Sequence, residues 1–328
     1  MFRLTCQIPP LRRLRRTLAL AVPVALAACE GGSDAFAPEA TGDPAPELAA
    51  PTPDLLGTLG SNRIAFTVNT SGGGSDIWTM DPQGGTPAHV TTYNDIAFDP
   101  TWSLDHKRIA FTRLRGIYKD VYLVNADGTN PRWARSATYP GAIVDPSWSP
   151  DGTHLLVSVV IQNEPYLAKL DLATENLSLI APAGVFGVAG TSPVYDLAGK
   201  TIYFVAKGDQ TIKRFTPGGS LNTVLTSSFY LGGLALSPDG TRLAYSATVK
   251  DMNGEIFVLN LATKVSKRLT WNGAVDHSPT WSPDGTRLAF ASYRTGKMQI
   301  WTMNSSTGGT LTRITSRPYG ASAPSWAR

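Results

Sequence analysis

One short unit recurs along this chain, and its repetition restricts the fold more than any other feature. At residues 279–291, Pro279-Thr280-Trp281-Ser282-Pro283-Asp284-Gly285 runs into Thr286-Arg287-Leu288-Ala289-Phe290-Ala291. Pro283 presets φ for the second position of a turn, Asp284 bonds back onto the backbone, and Gly285 accepts the positive φ that closes the turn. The unit therefore reads as strand, tight turn, strand. Trp148-Ser149-Pro150-Asp151-Gly152 and Leu236-Ser237-Pro238-Asp239-Gly240 repeat it, while Trp102-Ser103-Leu104-Asp105 and Tyr195-Asp196-Leu197-Ala198-Gly199 are degenerate copies.

The repeat has a period. The apolar triplets that follow each turn end at Phe66, Phe111, Val157, Phe204, Tyr245 and Phe290, spaced 41 to 47 residues apart. A second apolar strand follows each one, as in Ile77-Trp78-Thr79-Met80 and Ile300-Trp301-Thr302-Met303, and then a short outer strand. Four short strands per repeat, without helical periodicity between them, predict an all-β, six-bladed β-propeller. No Pro-x-Trp-Ser strand precedes Ile64, yet Pro324-Ser325-Trp326-Ala327 stands last with nothing after it. The C-terminal strand is therefore expected to join the first blade as its innermost strand, leaving no open edge.

This pattern resembles the TolB-like six-bladed β-propeller family, built on a WD40-like Pro-Asp repeat of the form P-x-W-S-P-D-G followed by an Ile/Leu-Ala-Phe strand. Full motifs stand at residues 146–152 and 279–285, and the resemblance covers residues 62–328. TolB carries an α/β domain ahead of its propeller, and none is expected here. The resemblance implies protein partners. Related propellers also serve prolyl-peptidase-type hydrolases, whose hydrolase domain is likewise not expected here.

Ahead of the repeats, residues 1–28 hold five arginines and no acid, with an apolar run ending at Leu26-Ala27-Ala28-Cys29. This reads as an export signal, the run being too short for a permanent span. The last four residues resemble a bacterial lipobox, which makes Cys29 the expected lipidation site; ordinary signal cleavage beside a chance Cys is the alternative. Residues 29–57 are rich in Ala and Pro, with six acids and no base, and read as a disordered tether. The expected domains are 1–28, 29–57 and the propeller over 58–328. The formal charge of +4 is thus a leader effect, the exported part being −1, so nucleic acid is not an expected partner. Cys6 leaves with the leader, so the folded body has no disulfide and no thiolate metal site.

No G-x-S-x-G, H-E-x-x-H, phosphate-loop or dinucleotide motif occurs. The repeated tryptophans read as packing between blades, and Asp151, Asp239 and Asp284 as turn formers. The connections from each outer strand to the next inner strand gather on one face around the channel mouth, and each carries an aromatic: Tyr93, Tyr139, Phe186, Phe229 with Tyr230, Trp271 and Tyr319. Tyr93, Tyr139 and Phe186 share one offset from the following strand, which suggests packing. The others vary, which suggests side chains facing a ligand.

Asp99 and Asp145 precede the inner-strand prolines of consecutive blades, and Asp276 with His277 enters from the opposite side of the ring. These are candidates for a hard cation, Ca²⁺ or Mn²⁺, or for a basic peptide group, against the plainer reading as strand-entry residues. No cofactor is otherwise expected. Three functions stay open. The leading one is a non-catalytic, monomeric binding module, lipid-anchored on the periplasmic side of the outer membrane and recognising an envelope protein or peptide. The second is a polysaccharide lyase, hydrolase or peptidase with a channel-mouth carboxylate or metal site, and the third is a structural spacer.

Overall fold

The computed structural model describes residues 62–93, 95–134, 141–184, 187–249 and 253–327. The proposed leader, Cys29 and the tether lie outside them, as do Tyr139 and Phe186. Among the described residues there are 24 strands, numbered β1–β24 along the chain, and no helix.

The strands form six antiparallel meanders of four. The first blade is built from both ends of the chain: β24 (Ala321–Trp326), β1 (Ile64–Asn69), β2 (Ser75–Met80) and β3 (Ala88–His89) pair in that order. The expected closure is therefore present, with Ile64 opposite Trp326 and Val68 opposite Ala321. A single parallel bridge, Ser75 to Ile96, links this blade to the next. The innermost strands of the other five blades are β4 (Ile96–Trp102), β8 (Ile143–Trp148), β12 (Gly190–Tyr195), β16 (Tyr230–Leu236) and β20 (Asp276–Trp281). Each packs on the next around the ring, and β24 lies between β20 and β4.

The second strands carry the core. Their β-branched and aromatic side chains suit a pleated surface buried on both faces, and Phe66, Phe111, Val157, Phe204 and Phe290 are fully buried. Adjacent blades are braced at the turn end. Arg108 lies 4.7 Å above the Trp148 ring and donates to Gly152 O at 3.2 Å. Arg242 repeats this on Trp281, at 4.5 Å, and on Gly285 O, at 3.1 Å. Between the third and fourth blades the equivalent pair is His154 and Tyr195, edge to face and bonded through Nε2 and the hydroxyl at 2.8 Å. The turn aspartates behave as expected: Asp151 Oδ1 accepts from Ser149 Oγ at 2.6 Å and from Thr153 N at 3.0 Å.

One feature of the inner strands goes beyond simple alternation. Every one carries a bulge, and the residue at the bulge is left-handed: Asp99, Asp145, Ser192, Gly233, Ser278 and Ala323 have φ between 47° and 58°. A bulge sets two residues against one on the partner strand. Two consecutive side chains are consequently half-exposed where alternation would have buried one of them.

Candidate functional site

The six bulge residues line the central channel, which contains a cavity of about 360 Å³. Asp and Gly tolerate left-handed backbone better than most residues, which accounts for Asp99, Asp145 and Gly233. The same geometry turns the first two carboxylates into the channel side by side, as neighbours from consecutive blades. Burial, and next the charge of Asp145, push the Asp99 carboxyl up to about 7, with Lys119 opposing. Asp145 is also raised by burial, opposed by bonds from Ser192 N at 3.4 Å and Ser158 Oγ at 3.1 Å and by Lys119. A carboxyl titrating near neutrality can hold or release a proton in the working range of an acid–base group.

Asp276 does not join them. It is fully buried, ion-paired with Arg294 at 2.9 Å and bonded by Asn272 Nδ2 at 2.6 Å. It precedes the bulge by two residues, where the inner strand faces its neighbouring blade, so its expected place at the mouth is corrected. His277 is half-buried and meets Ser278 Oγ through Nδ1 at 2.9 Å; burial lowers its pKa, with Asp276 opposing. Among the described residues, no group of three or more His, Cys, Asp or Glu is arranged to hold a metal ion.

The aromatics divide. Tyr93 is 8% exposed, wedged against Phe111 and Tyr122 under Arg113, whose Cζ lies 3.8 Å from its ring. It packs between blades and does not line a recognition surface, which corrects its candidacy. Tyr230, Trp271 and Tyr319 are 59%, 75% and 56% exposed on the face that gathers the outer-to-inner connections. Trp271 is held from below. Arg268 lies 4.1 Å from its ring, donates from Nε to Thr270 O at 2.7 Å and pairs at 2.8 Å with Glu255, itself fully buried and also bonded by Thr270 Oγ1. Beside this stack runs a groove of about 1050 Å³, walled by Phe229, Phe257 and Val265.

The same face carries residues that the sequence reading missed. The hairpin of β5 (Arg108–Arg115) and β6 (Tyr118–Asn125) ends in exposed Ile117 and Tyr118, and Tyr293 stands at the equivalent tip of the sixth blade. Their signal was available: apolar residues at turn positions where Gly, Asn or Asp is usual.

The TolB beta propeller domain family matches residues 210–328. An uncharacterized protein of Agrobacterium fabrum is 29% identical over 182 residues, 53% of this chain and 59% of its own length. A TolB homolog of Chlorobium luteolum is 31% identical over 157 residues, 47% of this chain and 34% of its own. The chain thus spans less than two thirds of the length of these curated relatives. The crystal structure of TolB from Acinetobacter baumannii superposes with a TM-score of 0.71 over 81% of this chain and 66% of that one, at 22% identity, a likeness of fold. Repeat motif, ring closure and family match agree: residues 210–328 match the TolB beta propeller domain, and the described chain as a whole has a TolB-like six-bladed β-propeller fold.

Proposed function

We propose that this protein is a non-catalytic binding module of the cell envelope, held to the periplasmic side of the outer membrane by a lipid on Cys29 and recognising a protein or peptide at its channel-mouth face. The observation that carries the reading is the exposure of Tyr230, Trp271 and Tyr319 on one face, with Trp271 locked by the Arg268–Glu255 pair. Rigid aromatic side chains are the commonest anchors of recognition surfaces, because they bury large area at small entropic cost. The match of residues 210–328 to the TolB beta propeller domain supports a binding role. In a pull-down from detergent-solubilised envelopes, the variant Tyr230→Ala/Trp271→Ala/Tyr319→Ala should lose the partner that the parent retains, at an unchanged melting temperature. An identical partner set would overturn the reading.

A second reading is favoured by one observation, the Asp99 carboxyl titrating near 7 beside Asp145 inside the channel cavity. It assigns acid–base chemistry on a polysaccharide or peptide threaded there, with Ca²⁺ or Mn²⁺ assisting the carboxylates. Turnover of a polymer by the parent, absent in Asp99→Asn, would support it. Neither turnover nor thermal stabilisation by either ion would leave it without support.

A further inference from the structure

We propose that the blade-tip hairpins on the aromatic face rest on an anionic lipid surface, with Ile117 and Tyr118 entering the headgroup layer. Ile117 is 85% exposed and Tyr118 68% exposed. Nothing in the hairpin requires them. The neighbouring hairpin of β9 (His154–Ile161) and β10 (Glu164–Asp171) has strands of the same length and turns on Gln162 and Asn163, both polar and left-handed. An exposed Ile beside Tyr at a convex tip is poor material for a protein interface, which needs roughly 800 Å² on each partner. It suits a bilayer interface, where an aliphatic chain enters the apolar layer and Tyr sits at headgroup level.

The charges agree. Lys119 flanks the tip, and Lys297 stands on the turn that begins at Tyr293 on the sixth-blade tip, donating to the neutral carbonyl of Pro318; both are exposed. Asp95, the half-buried acid beside this hairpin, is matched by Arg113 at 2.9 Å, and Asp120 on β6 is also engaged, while Asp276 and Glu255 are fully buried in ion pairs with Arg294 and Arg268. The exposed tips therefore present cations and apolar groups together, complementary to lipid phosphates. Cys29 permits the contact. The first described residue, Asn62, lies at the opposite end of the ring, and residues 30–61, fully extended, reach at most about 110 Å. Strands of six to eight residues make the ring about 20–26 Å deep, so an anchored chain has ample length to bring the edge that carries the second- and sixth-blade tips to the bilayer while Tyr230 and Trp271 stay clear of it.

The test uses residues 30–328, which carry neither leader nor acyl group, and co-sedimentation with vesicles of phosphatidylcholine and phosphatidylglycerol. The parent should bind in low salt and dissociate as salt rises. Ile117→Ser/Tyr118→Ser should bind about tenfold more weakly, and Lys119→Gln/Lys297→Gln should flatten the salt dependence, each melting as the parent does. If the parent fails to bind in low salt, or if the Ile117→Ser/Tyr118→Ser variant binds equally, the proposal is wrong. If that variant instead loses a protein in the envelope pull-down while vesicle binding is unchanged, the tip belongs to a protein partner. The residues of this test are separate from Tyr230, Trp271 and Tyr319, so the aromatic reading survives or fails by itself.

Discussion

The indole Nε1 of Trp326 donates to Asn62 Oδ1 at 2.7 Å, and one residue further on Ala327 N donates to Arg63 O at 2.8 Å. The second bond is the one made in the other blades across a closed turn, for example Ser149 N to His154 O at 3.0 Å and Ser282 N to Arg287 O at 3.0 Å. The sixth turn is thus replaced by the two ends of the described chain, stitched where a Ser-Pro-Asp-Gly loop would stand. Removing residues 321–328 strips β1 of its inner partner, leaving it paired with β2 alone, and takes Ala321 and Trp326 from a buried cluster. The truncated chain should be aggregation-prone and lose cooperative unfolding, and Trp326→Ala alone should cost about 3–5 kcal/mol. Chemical denaturation measures both, and a truncation as stable as the parent would show that the seam does not hold the ring.

Asp99 gives a pH signature. Its folded pKa of about 7 lies above the ordinary value, so the folded state binds this proton more tightly than the unfolded chain does. Stability from this group is then lost as pH rises from about 4 to about 7 and is level above that. Asp99→Asn, which also tolerates left-handed backbone, should stabilise the protein at pH 8 by on the order of 1–2 kcal/mol, since the folded state then no longer carries a charge that burial disfavours. The gain should vanish near pH 4 in urea titrations; a gain equal at both pH values would contradict the assignment.

Glu255 is fully buried and its partner is Arg268. Arg268→Met leaves that carboxylate uncompensated and should destabilise the protein by about 3–5 kcal/mol, while Glu255→Met/Arg268→Met should recover most of the loss. Differential scanning calorimetry reads the stability. Partner capture should stay impaired in the double variant, since Trp271 loses the guanidinium beneath it.

His154 should make the protein acid-sensitive at one blade junction. Burial, and next Lys169, lower its pKa, so the folded state takes up this proton less readily than the unfolded chain. Its contribution is level above about pH 6.5 and falls as pH drops below that. Substituting His154→Gln should remove that slope from the difference between variant and parent, and Tyr195→Phe should lose about 1 kcal/mol from the missing bond.

The architecture was legible because it is written in repeats. Trp326 with no turn after it announced the closing strand, and the period ending at Phe66, Phe111 and Phe290 announced the blades. Among the described residues Tyr93 packs while Tyr230, Trp271 and Tyr319 are exposed, but Phe229, beside Tyr230 on the same connection, packs against the core, and Tyr139 and Phe186 lie outside the described residues. What stayed hidden depends on contacts across the sheet. Nothing local to Asp276 shows that Arg294, eighteen residues on, would claim it. The slip that turns Asp99 and Asp145 into the channel is a register event between strands, and an Asp-Pro pair reads the same with or without it. Ile117 and Tyr118 escaped notice because the loops expected to carry function were the connections between blades.

The seam at Asn62 and Trp326 has a practical side. Whatever is attached at either end of the propeller emerges from one pole, and the exposed tyrosines and Trp271 stand at the other. A fluorophore, an affinity handle or an immobilising surface joined at the C-terminus would leave the aromatic pole facing solution, so the protein can be presented to candidate ligands in a defined orientation without engineering the ring itself.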